Sequence, residues 1–144
     1  MENRVERAVT NHDRGYNCAQ SVVCAYCELF GMDESTAFRL AEGFGGGMGG
    51  MQDGTCGAVT AMYMLAGLKG SSGGIQNGIS KLETYEQVQK LCAAFKEQNG
   101  TVICRELLQK NDMSLERPCN RWIADAARIV EAQLVGDAEA QTQK

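Results

Sequence analysis

Seven cysteines stand against a single histidine in this chain, so the chemistry to be sought is that of sulfur. Four of them fall where the residue pattern starts a helix: Cys18 follows Asn17, Cys56 lies three residues after Asp53, Cys104 three after Thr101, and Cys119 one after Pro118. The first turn of a helix presents unpaired N–H groups and roughly half a positive charge, which stabilises a thiolate and draws its pKa below about 8.5. Arg14, Arg105, Arg117 and Arg121, near three of the four in sequence, add to that bias. The expectation is that Cys56 and at least one of Cys18, Cys104 and Cys119 react faster than Cys92, which lies in an apolar helical stripe and reads as a small buried hydrophobe. Cys24 and Cys27 form a C-x-x-C, but Glu28 stands where a haem attachment needs His, and no βαβ pattern surrounds the pair. They project to the side of their helix opposite Cys18 and are read as core or surface thiols.

Ahead of Cys56 runs Gly43-Phe-Gly-Gly-Gly-Met-Gly-Gly-Met-Gln-Asp-Gly54, too rich in glycine to hold a helix at about 1 kcal/mol per Gly relative to Ala. Such a loop can bring bare N–H groups close to sulfur or a small anion, which makes Gly46, Gly47, Gly49, Gly50 and Gly54 candidate binding positions, with Met48 and Met51 as adaptable apolar contacts. Its Gly45-x-Gly47-x-x-Gly50 matches the dinucleotide fingerprint only formally, because a helical segment and not a strand precedes it. Beyond Cys56, Thr60, Tyr63 and Gly67 share its helix face and outline a crevice, so Thr60 and Tyr63 join the candidate set, while Gly57 and Ala61 permit close approach of another helix. His12 is placed in a solvated turn, and a two-histidine metal set is excluded.

The elements that must position these residues are helices. One Pro, frequent Ala, Glu, Gln, Leu and Met, and no alternating β-branched runs predict an all-α protein, a single compact domain over residues 1–144 with about five to seven helices. The expected segments are Glu2 to Thr10; Asn17 as N-cap to Phe30, stopped by Gly31; Asp33 to about Gly43; and an apolar helix to Leu68, capped by Asp53 or Thr55. A connection follows from Gly70 to Ser80. Tyr85, Val88, Leu91, Cys92 and Phe95 mark the next helix, ended by Asn99-Gly100. Thr101 opens a short helix to Gln109, and Pro118 opens the last, with Trp122, Ala126, Ile129, Val130 and Leu134 as its buried stripe; a frayed tail is expected from Gly136.

A net charge of −4 argues against nucleic acid as a partner. The longest uncharged apolar stretch, Gly54 to Leu68, falls short of the roughly 20 residues that span a bilayer. With no apolar signal core near Met1, the expectation is a soluble, cytoplasmic protein with reduced thiols.

The order Cys18, Gly54-Thr-Cys56-Gly57-Ala58, Cys104, Cys119, behind the glycine-rich lead-in, resembles the family named for its pattern C_GCAxxG_C_C. The resemblance implies a small, mostly helical protein with redox or metal-linked use of Cys18, Cys56, Cys104 and Cys119. Three roles follow for those thiols. They exchange electrons as dithiols with a small-molecule or protein thiol partner, which would make the chain an oxidoreductase or an electron carrier. Alternatively all four ligate a metal, as an iron–sulfur cluster or zinc, although spacings of 38, 48 and 15 residues are not those of a zinc ribbon. In the third reading the chain is a scaffold whose Gly57-x-x-x-Ala61 face and mid-helix cysteines build a homo-oligomer.

Overall fold

A computed structural model describes residues 3–75, 78–110 and 118–136. Seven α-helices account for most of them: α1 (Arg4–Asp13), α2 (Cys18–Tyr26), α3 (Glu34–Ala41), α4 (Gly57–Gly70), α5 (Lys81–Asn99), α6 (Cys104–Lys110) and α7 (Pro118–Val130). Among the described residues there is no strand. One isolated antiparallel bridge joins Thr55 to Ile103. Arg117, Glu2 and the tail beyond Gly136 lie outside the described residues.

The middle of the molecule is α2, all nine of whose residues are buried. Its start is fixed by a capping box: the Asn17 side chain accepts the Gln20 N–H at 2.8 Å, and the Gln20 side chain accepts the Asn17 N–H at 2.9 Å. A short 3₁₀ turn, Cys27–Phe30, continues it until Gly31, whose φ of +87° is the left-handed geometry that ends a helix. Against α2 pack α1, α3 and α4, with α5 and α7 closing the far side. Val22, Val59, Met62, Leu65, Leu91, Phe95, Ile123 and Val130 are fully or almost fully buried and make the shared core. Each such side chain contributes about 1.5–3 kcal/mol relative to exposure, which is what holds helices of eight to fourteen residues that would be marginal alone. Tyr26 crosses this core and donates its hydroxyl to Glu131 Oε1 at 3.0 Å.

Several element boundaries differ from the sequence pattern. α1 runs to Asp13 with Asn3 as its cap, so His12 lies in the helix's last turn, half-buried, with Nδ1 2.6 Å from Asn120 Oδ1 of α7, and not in a solvated turn. α4 is capped by Cys56 itself and not by Asp53 or Thr55. α6 begins at Cys104 and not at Thr101, whose hydroxyl accepts the Ile103 N–H and pairs with the Glu106 carboxylate. The α5 stripe loses its first member: Tyr85 is exposed, and burial begins at Val88. The α7 stripe is buried throughout, Trp122, Ala126, Ile129, Val130 and Leu134. No helix among the described residues is long and apolar enough to cross a membrane.

Candidate functional site

Three helix starts converge. Cys18 is the first residue of α2, Cys56 the cap of α4 and Cys104 the first residue of α6. Two local devices bring them together. The first is the contact of α2 with α4, made possible by a missing side chain: a methyl group on Gly57 would fall inside the van der Waals shell of Cys18 Sγ and within 3.0 Å of both the Ala19 nitrogen and the Phe44 carbonyl oxygen. The second is the bridge between Thr55 and Ile103. Cys56 N–H donates to the Val102 carbonyl at 2.7 Å and Cys104 N–H to the Gly54 carbonyl at 2.9 Å, so Cys56 and Cys104 are diagonal neighbours on one face of the pairing.

The electrostatics place the three sulfurs within each other's fields. Burial pushes the Cys56 thiol up to about 12, with the neighbouring Cys18 and, more weakly, Cys104 adding to the rise; the N–H groups of Ala58 and Val59 pull the other way. Those N–H groups act as a field only, since Cys56 makes no capping hydrogen bond with its side chain. Cys104 is also raised, by burial first and by Cys18 next, against the pull of Arg105. The expected lowering by the helix starts is therefore overturned for both residues. A helix start supplies half a charge, but a sulfur 96% removed from water loses more hydration than that field returns. The expected order of reactivity falls with it, because Cys92 is only half-buried whereas Cys56 is 4% exposed.

The glycine-rich loop covers this cluster. Gly46 N–H points at Cys18 Sγ at 3.5 Å. Gly47, at φ +68°, lies flat on Cys104: a methyl there would come 2.5 Å from Cys104 Cβ and 2.8 Å from Gln52 Cα, so both conformation and space require glycine. Gly49 and Gly50 spend their N–H groups on the carbonyls of Gly43 and Gly45, and Gly54 packs against the Met48 side chain while its carbonyl receives Cys104.

The Thr60 hydroxyl donates to the Cys56 carbonyl at 3.2 Å, within its own helix, and burial, with the neighbouring Cys92 thiol of α5 next, raises the Tyr63 pKa. Cys119 is the second residue of α7, half-buried, next to the Asn120 that holds the end of α1. Cys24 and Cys27 are wholly buried; burial pushes Cys24 up to about 12 and raises Cys27, each with nearby acids adding to the effect. Gly57 and Ala61 of the Gly57-x-x-x-Ala61 face are likewise buried within the chain.

Cys18, Cys24, Cys27, Cys56, Cys92 and Cys104 are in no disulfide, and among the described residues no group of three or more His, Cys, Asp or Glu side chains is arranged to hold a metal ion. The pairing of Thr55 with Ile103 carried no signal readable in the sequence, since a single bridge has no alternating pattern.

A family model described as "Putative redox-active protein (C_GCAxxG_C_C)" matches residues 16–133. No curated protein and no solved structure matches the chain.

Proposed function

The chain belongs to the C_GCAxxG_C_C family, and from that premise we propose that Cys18, Cys56 and Cys104 form the centre of a thiol–disulfide redox protein. The observation that carries the reading is the convergence of three sulfurs from three separate helix starts, close enough that Cys18 and Cys104 act on the ionisation of Cys56 and Cys18 on that of Cys104. Packing alone would not require sulfur at each of these places. The chemistry is exchange with a partner disulfide. One site thiol loses its proton and attacks a sulfur of the partner, expelling one partner thiolate and leaving a mixed disulfide; a second site thiol then attacks the attached site sulfur and releases the other partner thiolate. Two electrons pass to the partner, two protons leave the site, and an internal disulfide remains. A third thiol gives the site a choice of resolving group.

The test is to treat the reduced protein with an excess of a small disulfide and identify linked peptides by mass spectrometry without reduction. The expected product is a disulfide between two of Cys18, Cys56 and Cys104, with Cys24 and Cys27 retained as thiols. Linkages confined to Cys24, Cys27, Cys92 and Cys119 would overturn the assignment.

A further inference from the structure

The three cysteines are more than nine-tenths buried, yet exchange requires in-line approach of an outside sulfur. What lies against Cys18 and Cys104 is the loop from Gly43 to Gly54, and its bonding is uneven. Within itself the loop is well tied: Gly49 N–H to Gly43 O at 2.8 Å, Gly50 to Gly45 at 3.0 Å, Met51 to Met48 at 3.1 Å and Gln52 to Gly46 at 2.9 Å. These bonds make it a unit that keeps its shape. To the rest of the molecule it is fastened at its two ends by residues that adjoin site cysteines. At one end the Asn17 amide donates to the Glu42 carbonyl at 2.8 Å, with Gly45 pressed against the same side chain. At the other, Arg105 donates its backbone N–H to Gln52 O at 2.8 Å and its guanidinium to Met51 O at 3.2 Å. Between the fastenings the contacts on the cluster itself are slight: one N–H to sulfur and one glycine face. Gln52, at the far end of the unit and not a glycine, is held at φ +66°, a conformation that costs free energy and that movement about that end would relax.

We propose that this loop is a gate over the three thiols, latched by the Arg105 side chain, and that its opening regulates the access of the redox partner. The inference rests on the redox reading and adds to it a controlling step. Movement of the segment beyond Phe44, which stays packed on the core, breaks the Gly46 contact to Cys18, lifts Gly47 from Cys104 and leaves the helices in place. Access to Cys18 therefore changes without unfolding.

The experiment compares alkylation of each cysteine, by iodoacetamide and peptide mass spectrometry, in the native protein and in Arg105→Ala. Arg105 is exposed, so its truncation leaves the core intact. Loss of a charge-assisted bond in a solvated setting, about 1 kcal/mol, shifts a gate toward open by about fivefold. The expected result is that Cys18 labelling accelerates by about that factor while half-buried Cys92 stays at its native rate. Cys104 is a poor reporter, since the same change removes a charge that favours its thiolate. A second variant, Gly47→Ala, blocks closure by contact with Cys104 and should accelerate Cys104 labelling. Unchanged Cys18 labelling in Arg105→Ala, or acceleration matched by Cys92, Cys24 and Cys27, overturns the gate. Disulfide formation scored in the same samples separates the two ideas: a latch-dependent labelling rate with no disulfide among the three thiols keeps the gate and removes the redox role, whereas a disulfide forming equally fast in both proteins keeps the redox role and removes the gate.

Discussion

Two glycines of one helix should answer an added methyl group with opposite signs. Gly57 and Gly67 both lie in α4, neither has a positive φ, and helix propensity alone favours alanine at each. At Gly67 no heavy atom lies within 4 Å of where the methyl would sit. Gly67→Ala should therefore stabilise the protein by about 0.4–1 kcal/mol, mainly by restricting the unfolded chain. At Gly57 the methyl meets Cys18 Sγ, the Ala19 nitrogen and the Phe44 carbonyl oxygen, two of them backbone atoms that cannot swing aside. Overpacking of this kind costs about 1–3 kcal/mol, and the propensity gain is smaller at the first residue of a helix than in its interior. Gly57→Ala should be destabilising by about 1–2 kcal/mol. At about 2–4 °C per kcal/mol for a chain of this size, the two variants should melt on opposite sides of the native protein. Urea unfolding followed by circular dichroism provides the check, with the midpoint moving and the slope unchanged. If Gly57→Ala raised the midpoint as Gly67→Ala does, α2 and α4 would not touch as described, and the placement of Cys18 beside Cys56 would fall with that contact.

Alkaline pH should reveal the buried thiols. Cys56 and Cys24 stand at about 12 against an ordinary 9.0, with Cys27 and Cys104 raised in the same direction. A raised folded pKa gives stability that is complete below the unfolded value and lost as pH climbs through the folded one, so thermal stability should decline between about pH 9 and 12, and Cys56→Ser should lessen the decline. A melting temperature independent of pH across that window would contradict the burial of these sulfurs. Alkylation of the native protein at neutral pH should reach Cys92 before Cys56, Cys24 and Cys27, the reverse of the order that helix-start placement suggests; the first labelled peptide in a time course decides it.

Helical period, capping residues and glycine stops are local properties, which is why Asn17, Asp33, Gly31 and Gly100 could be read directly as helix ends and why the α7 stripe is buried as its spacing implies. The closeness permitted by Gly57 was also legible, because a missing Cβ beside an apolar run signals an approaching helix. What could not be read was the balance of energies at the sulfur. A helix start is visible in sequence and predicts an acidic thiol; burial is a property of the assembled fold and predicts the reverse. At Cys56, the Ala58 and Val59 N–H groups and the surrounding desolvation oppose each other, and desolvation is the larger. The same fold that gathers Cys18, Cys56 and Cys104 therefore quiets Cys56 and Cys104 while the loop is closed. If water reaches Cys56 as the loop lifts, the desolvation penalty falls and the fields of the Ala58 and Val59 N–H groups are left to favour its thiolate. A site built this way does not need a thiol that is acidic at rest, because exposure and activation of the sulfur come from one movement.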